Sequence, residues 1–193
     1  MSNKLRQRWS QEEFLAWAGT QEERFEFDGF APRAMTGGSI DHNIICHNII
    51  AALRGQLREG CRPLGPDVGL ATIGSNIRYP DVMVSCGKLD GKALSASGVV
   101  VVFEVLSAST SSTDRIINLR EYAAVPSIRR YVIVESTSVG LTVLERETAG
   151  EAWRATALTG DGTLSMPELN FELPVADLYQ GVEFASKDAG EGR

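Results

Sequence analysis

The stretch VVVVFEVLSAST, residues 99–110, constrains the fold of this chain more than any other. Five consecutive apolar residues lead into Glu104, and Val105 and Leu106 follow it. A strand that is apolar on both faces is typical of the centre of a sheet covered by helices. A carboxylate on such a strand is costly unless it is paired, hydrogen-bonded or bound to a metal. Glu104 therefore either ends the strand beside solvent or an arginine, such as Arg115 or Arg120, or belongs to a functional site.

The segments around this strand predict one α/β domain over residues 1–184. A helix over about residues 113–124 and the strand RRYVIVE follow it, and this order implies a crossover with parallel pairing. Upstream, SQEEFLAW predicts a capped helix, RFEFDGFAPRAM a hairpin, and Ser39 the start of a long helix to about Glu59. We expect a central mixed sheet flanked by helices, with a disordered tail over residues 185–193.

Composition limits the classes of function. A net charge of −6 and a pI near 5.0 argue mildly against a protein that holds nucleic acid by bulk charge, although a local basic groove is compatible with both. Cys46, Cys61 and Cys86 lack the spacing of a metal site and predict reduced thiols in a cytoplasmic protein. No segment has the roughly 20 apolar residues that a membrane span requires. The GxSxG, HExxH, GxGxxG and Walker motifs are absent.

A second acid, Asp81, has a similar setting in the segment NIRYPDVMVS. It leads into an apolar run directly after Pro80, whose missing N–H indicates a strand start, an edge or a bulge. Two carboxylates from adjacent strands that meet at one end of a sheet can bind a hard divalent cation such as Mg²⁺.

The motif YPD, followed about twenty residues later by FEVLSAST and then by DRIINLREYAAVPSIRRYVIVE, resembles the PD-(D/E)XK nuclease superfamily. The chain is more closely similar to a bacterial family of restriction-endonuclease-like proteins, over most of its length. This resemblance implies a restriction-endonuclease-like core and a Mg²⁺- or Mn²⁺-dependent DNA endonuclease, with a homodimer by analogy. It places Asp81, Glu104 and the backbone carbonyl of Val105 at the metal. Glu26 matches an acidic position of the family and is either an auxiliary ligand or a solvent-facing hairpin residue.

The chain departs from this pattern at the lysine. The superfamily places a lysine two residues after the glutamate, where this chain has Leu106. In the resembled family the lysine has moved to the following helix, at the position of Asn118. An amide orients water but supplies neither a cation nor a general base. Arg115 on the same helix, or Lys88 and Lys92 in the preceding loop, are candidates to supply the charge.

Two functions stay open for this sequence. One is the endonuclease, and the other is a weakly active or inactive nuclease-fold protein that binds nucleic acid or another protein. His42, near the start of the long helix, has either a packing and hydrogen-bonding role or a catalytic one. Asp67 matches a family position or is an ordinary turn residue. Arg129 and Arg130 either contact phosphate or protect a strand edge.

Overall fold

The structure is a computed structural model that describes residues 9–106 and 112–184, except for the side chains of residues 112–114. The tail predicted over residues 185–193 lies outside the described residues. The helices of the described part are Gln11–Ala18 (α1), Ile40–Gln56 (α2) and Ser112–Ala123 (α3). Its strands, β1 to β13 in chain order, are Phe25–Phe27, Pro32–Ala34, Arg62–Leu64, Gly69–Ala71, Ile77–Arg78, Val82–Ser85, Ser95–Ala96, Val99–Val105, Arg130–Val134, Leu141–Glu145, Arg154–Leu158, Thr163–Met166 and Phe171–Pro174.

Six strands form the central sheet in the order β11-β10-β9-β8-β6-β3. β8 pairs with β9 in parallel, while the other neighbouring pairs of this sheet are antiparallel. Because α3 joins β8 to β9, the predicted crossover is confirmed. β8, which carries Glu104, lies inside the sheet, and β6, which begins directly after Asp81, is its neighbour. The predicted mixed sheet flanked by helices is therefore confirmed.

Both faces of the central sheet are buried. On one face α2 packs Ile45, Ile49 and Leu53 against the valines of β6, β8 and β9. On the other face the core contains Tyr122 of α3 and Tyr131 of β9, together with Met83 and Val102. Burial on both faces explains why β8 is apolar along most of its length.

A second sheet, in the order β2-β1-β5-β4-β7, lies beside the first. The predicted β1–β2 hairpin is present, and Gly29 in its turn has a φ of 82°, which favours glycine. α1 begins with the predicted capping box at Ser10 and Glu13. Its residue Phe14 stacks on Phe27 of β1, with ring centroids 5.0 Å apart. This small aromatic core fixes the hairpin that carries Glu26.

The segment NIRYPDVMVS is two strands rather than the single predicted one. β5 joins the second sheet and β6 joins the central sheet, and Tyr79 and Pro80 lie between them. Proline cannot donate a ladder hydrogen bond, so the chain leaves one sheet and enters the other at this point. Asp81 follows this break directly.

α2 begins after Ser39 as predicted, and the Ser39 hydroxyl accepts a hydrogen bond from the His42 N–H. It ends at Gln56, earlier than the predicted Glu59, because the backbone is already extended at Leu57. A 3-10 helix, Val175–Tyr179, lies near the end of the domain. The short strands β3, β7, β12 and β13 were not predicted.

In the described part of the chain, no helix has the length and apolarity needed to cross a membrane.

The prediction of three reduced thiols is wrong for two of them. Cys61 and Cys86 form a disulfide, and Cys46 is a buried free thiol. The antiparallel register of β3 and β6 pairs Arg62 with Ser85, so the two cysteines lie opposite each other just beyond the paired residues. Strand register brought them together, and their separation of 25 residues in sequence does not reveal it.

Candidate active site

A cleft of about 750 Å³ opens where β8 ends and β6 begins. The β1–β2 hairpin, the start of α2 and one side of α3 form its walls. Five residues proposed from the sequence line this one cleft: Glu26, Asp81, Glu104, Val105 and Asn118. They come from four separate parts of the chain, and the fold brings them together.

The centre of the cleft is a pair of carboxyl groups. Asp81 Oδ2 accepts a hydrogen bond of 2.8 Å from the Val105 N–H, which holds it against the end of β8. Glu104 Oε1 accepts a hydrogen bond of 2.5 Å from the Tyr122 hydroxyl. Burial, followed by the negative charge of Asp81 and a hydrogen bond between the two carboxyls, raises the pKa of Glu104 well above its ordinary value, although the Tyr122 bond opposes this. Such a pair is stable only with a proton or a cation between its members.

His42 belongs to this site, and its hydrogen bond within the cleft is compatible with both roles that the sequence left open. Its Nε2 lies 3.2 Å from Asp81 Oδ2. The Asp81 bond raises the pKa of His42, although burial opposes it. The signal in the sequence was the position of His42 in the first turn of α2, one turn before Cys46 on the apolar stripe.

Cys46 lies beside the same imidazole. Ligand atoms of His42, Cys46 and Asp81 fall within 4.8 Å of one another, and these residue types bind divalent metals. The Cys46 sulfur, however, is 3.7 Å from His42 Nδ1, whereas Asp81 faces Nε2. Burial also raises the pKa of the Cys46 thiol, which disfavours a thiolate.

A buried arginine that the sequence did not single out supports one wall of the cleft. Arg78 Nε and Nη2 donate to the two oxygens of Glu121 at 2.8 Å and 2.5 Å, and Nη1 donates to Glu26 Oε2 at 3.0 Å. Glu121 also accepts from Thr72 and Asn76. Glu26 is therefore an anchored residue of the cleft and not a solvent-facing one.

Of the residues proposed to replace the lysine, the structure places only Asn118 at the cleft. Asn118 is half-buried and lines the cleft, whereas Arg115 is exposed and is not part of the lining. Lys88 and Lys92 lie between β6 and β7, beyond the end of β6 that is remote from Asp81, and are also outside it. Among the described residues neither Arg115 nor Arg120 is within ion-pair distance of Glu104, so pairing with either arginine does not explain this buried carboxyl.

The two other arginines of the cleft already have acidic partners. Arg33 Nε lies 2.9 Å from Asp28 Oδ2, and Arg24 Nη1 lies 3.4 Å from Asp67 Oδ1. Asp67 is itself 87% exposed, which is ordinary for a turn residue. Among the described residues that line the cleft there is no lysine and no arginine without a carboxylate partner.

The chain is similar to known proteins in sequence and in fold. Residues 11–176 match the model of the family described as "Uma2: Putative restriction endonuclease". "Uncharacterized protein slr1290" of Synechocystis sp. (strain ATCC 27184 / PCC 6803 / Kazusa) is 30% identical over 178 residues, which are 91% of this chain and 93% of the relative. The crystal structure titled "a putative nuclease belonging to DUF820", from Anabaena variabilis ATCC 29413, matches with a TM-score of 0.68 at 14% identity, over 89% of this chain and 98% of its own. The structural match shows a shared restriction-endonuclease-like fold, and the family match shows that this chain belongs to the Uma2 family.

Proposed function

We propose that this protein is a Mg²⁺- or Mn²⁺-dependent DNA endonuclease whose metal is held by the Asp81 and Glu104 carboxylates and the Val105 carbonyl. The observation that carries this proposal is the contact between the two carboxyls in an open cleft. Membership of a family described as a restriction endonuclease supports a phosphodiester substrate.

The donor atoms fit a hard divalent cation. Two carboxylates and one carbonyl offer only oxygen, which Mg²⁺ and Mn²⁺ prefer. When bound, such an ion supplies Lewis-acid polarisation of the scissile phosphate and a more acidic water.

The residues of the chain would hold these donors in place. The Val105 N–H and His42 orient Asp81, and the Tyr122 hydroxyl orients Glu104. Each of these partners lies on a helix or strand of the scaffold, so the carboxyls are positioned before any ligand arrives. The Asn118 amide faces the same cleft and can donate a hydrogen bond to a phosphate oxygen or a water.

The charge of the cleft supports an order of binding in which metal precedes DNA. Its lining contains five carboxylates and three arginines, and these arginines are already paired. A polyanion is repelled by a cleft of net negative charge, so a bound cation has to neutralise it first. The carboxylates are Glu26, Asp28, Asp81, Glu104 and Glu121, and the arginines are Arg24, Arg33 and Arg78.

The test is metal titration calorimetry together with plasmid nicking, applied to the wild type, Asp81→Ala and Glu104→Gln. We expect the wild type to bind Mn²⁺ and nick the plasmid, and both variants to lose the two properties. Glu104→Gln keeps an acceptor for Tyr122 and removes one of two like charges, so without metal its melting temperature should equal or exceed that of the wild type.

Asp67→Ala is the matched control, because it removes an exposed carboxylate near the cleft and should leave binding and nicking unchanged. Millimolar Mg²⁺ should raise the melting temperature of the wild type, since a ligand of the native state stabilises it. A wild type that binds no divalent metal would overturn the proposal. A symmetric dimer, which would suit cleavage of both strands, remains a prediction that light scattering in solution can test.

The second candidate is a nuclease-fold protein with little or no hydrolysis that binds nucleic acid or another protein. It is favoured by Asn118 at the lysine position and by the absence of lysine from the described lining of the cleft. The same assays separate the two candidates. Metal and DNA binding by the wild type without nicking would select the second one.

A further inference from the structure

A second cleft, of about 520 Å³, lies where β9 begins and β10 ends. In the parallel register Arg130 pairs with Val101, and Glu104 pairs with Ile133. The cleft is therefore three residues, about 10 Å, along β8 from Glu104, toward the opposite end of the sheet. It is lined by four arginines and three glutamates: Arg129, Arg130, Arg146, Arg154, Glu145, Glu147 and Glu168.

Two of the three acidic residues of this cleft, Glu145 and Glu168, pair with Arg130 and Arg154. Arg130 Nη1 donates to Glu145 Oε2 at 2.6 Å, and Arg130 Nε donates to Glu168 Oε1 at 2.7 Å. Arg154 Nε lies 3.5 Å from the other oxygen of Glu145. The two glutamates therefore compensate the charge of Arg130. Because β9 lies inside the central sheet, the prediction that Arg129 and Arg130 protect a strand edge is wrong.

Arg146 is held rigidly and has no acidic partner within ion-pair distance among the described residues. Its three side-chain nitrogens donate to the backbone carbonyls of Ile128, Ala123 and Val125, at 2.9 Å, 2.8 Å and 2.7 Å. Its guanidinium also lies 4.6 Å from the ring centroid of Trp153. Because carbonyl groups carry no formal charge, they do not neutralise Arg146, and its positive charge stays at the wall of the cleft.

Arg129 is the neighbour of this uncompensated charge. Its Nη1 is buried and has no hydrogen-bond partner among the described residues. Hydrogen bonds from Thr148, and to a smaller extent the charge of Arg129, lower the pKa of Glu151. Glu151 is exposed, however, and already accepts hydrogen bonds from Thr148 and from the Glu147 N–H. A buried donor without a partner, beside a second guanidinium, is unfavourable unless an anion accepts from it.

We propose that Arg129, beside Arg146, forms a phosphate-binding site that is separate from the Asp81–Glu104 cleft. Guanidinium groups donate parallel hydrogen bonds to phosphate oxygens, and a rigid, desolvated guanidinium strengthens such binding. The phosphate belongs either to a nucleic-acid backbone or to a free phosphate or phosphomonoester. This inference rests on the charges of the second cleft and stands whether or not the first cleft hydrolyses DNA.

Calorimetric titration with inorganic phosphate tests the site, with sodium chloride at equal ionic strength as the reference. We expect saturable binding to the wild type and binding weaker by about tenfold or more to Arg129→Gln, because a charge-assisted hydrogen bond is lost. Arg154→Gln is the matched control, since it removes a paired arginine from the same cleft and should bind phosphate like the wild type. Arg129→Gln should also keep the wild-type melting temperature in phosphate-free buffer. Equal phosphate binding by Arg129→Gln, or no saturable binding by the wild type, overturns the site.

A second arm identifies the source of the phosphate. Fluorescence anisotropy would follow a labelled DNA duplex in Mg²⁺ over a series of salt concentrations. The wild type would be compared with Arg129→Gln on a duplex with non-hydrolysable backbone linkages, so that metal binding is kept and cleavage does not interfere. A weaker salt dependence, by about 0.9 in the slope of log K against log salt, assigns the site to the nucleic-acid backbone. If inorganic phosphate binding depends on Arg129 and the DNA measurement does not, the site takes free phosphate groups.

Discussion

The Tyr122 hydroxyl donates a hydrogen bond of 2.5 Å to Glu104 Oε1 and so ties α3 to the central strand β8. The Tyr122 ring is fully buried and packs edge-on against Tyr131, with centroids 5.1 Å apart. Burial, and then the charge of Glu104, raises the pKa of Tyr122 well above its ordinary value. The hydroxyl therefore keeps its proton and acts as the donor, and α3 sets the orientation of Glu104.

Tyr122→Phe should weaken both stability and metal binding. It removes one hydroxyl and keeps the ring, so the free energy of unfolding should fall by about 1–3 kcal/mol, as for a hydrogen bond to a charged group. Mn²⁺ affinity should fall as well, because the Glu104 carboxylate loses the bond that orients it. Urea unfolding and calorimetry measure the two effects. Tyr131→Phe, which changes the neighbouring ring, should retain Mn²⁺ affinity, and unchanged affinity in Tyr122→Phe would contradict the orienting role.

The Arg78–Glu121 pair should make stability depend on pH. Burial alone would raise the pKa of Glu121, but hydrogen bonds from Arg78 and its charge lower it below the ordinary 4.5. A carboxyl with a lower pKa in the folded state than in the unfolded state stabilises the fold above the unfolded value, and this contribution disappears as the pH falls through the folded value.

Glu121→Gln should therefore cost about 3 kcal/mol at pH 7, where it breaks a buried ion pair, and progressively less below pH 4.5. Urea unfolding of the wild type and the variant across this range measures the difference. Glu172→Gln, at an exposed position of β13, should cost little at any pH. If Glu121→Gln lowers the free energy of unfolding by the same amount at pH 7 and at acid pH, the ionised Arg78–Glu121 pair is not the source of the loss.

The Cys61–Cys86 disulfide should stabilise the domain under oxidising conditions. It closes a loop between residues 25 apart, and the chain-entropy relation gives about 3.5 kcal/mol for a loop of this size. Urea unfolding with and without a reductant measures this value, and the Cys61→Ala, Cys86→Ala double variant should be insensitive to the reductant. After denaturation, thiol titration should find one free thiol in the oxidised protein. Three free thiols without reductant would mean that the bridge is absent.

The pairing of β8 with β6 could be predicted because the apolar run around Glu104 and the proline before Asp81 are local signals. The same signals gave the contact between the two carboxyls. Tyr122 and Arg78 were not found, since a buried tyrosine on a helix and an arginine on a short strand look like ordinary residues in a sequence. Their roles depend on which side chains the sheets and α3 bring together.

The disulfide and the second cleft were missed for a related reason. Both depend on register between strands that are distant in sequence, and register is set by the packing of the whole sheet. Arg129 and Arg130 are neighbours in the chain and both line the second cleft, yet their partners differ. Only Arg130 reaches Glu145 and Glu168.

Asn118 should limit turnover if the cleft is an endonuclease site. It lies on α3 at the position where the related pattern has lysine, and it lines the same cleft as Glu104 and Glu121. An ammonium group there would stabilise negative charge that grows only in the transition state, and this differential stabilisation accelerates the chemical step. A single well-placed donor of this kind changes rates by about 10²–10³.

Asn118→Lys should therefore raise the single-turnover rate of plasmid cleavage in Mn²⁺ by up to about 10²–10³. Its Mn²⁺ affinity should stay equal or fall, because the ammonium repels a divalent cation. Arg115→Ala should leave both quantities unchanged, since the exposed Arg115 is outside the cleft. If Asn118→Lys and the wild type cleave at equal rates while Arg115→Ala is slower, Arg115 already supplies the charge despite its position. Equal rates in all three proteins would show that this side of the cleft takes no part in the chemical step.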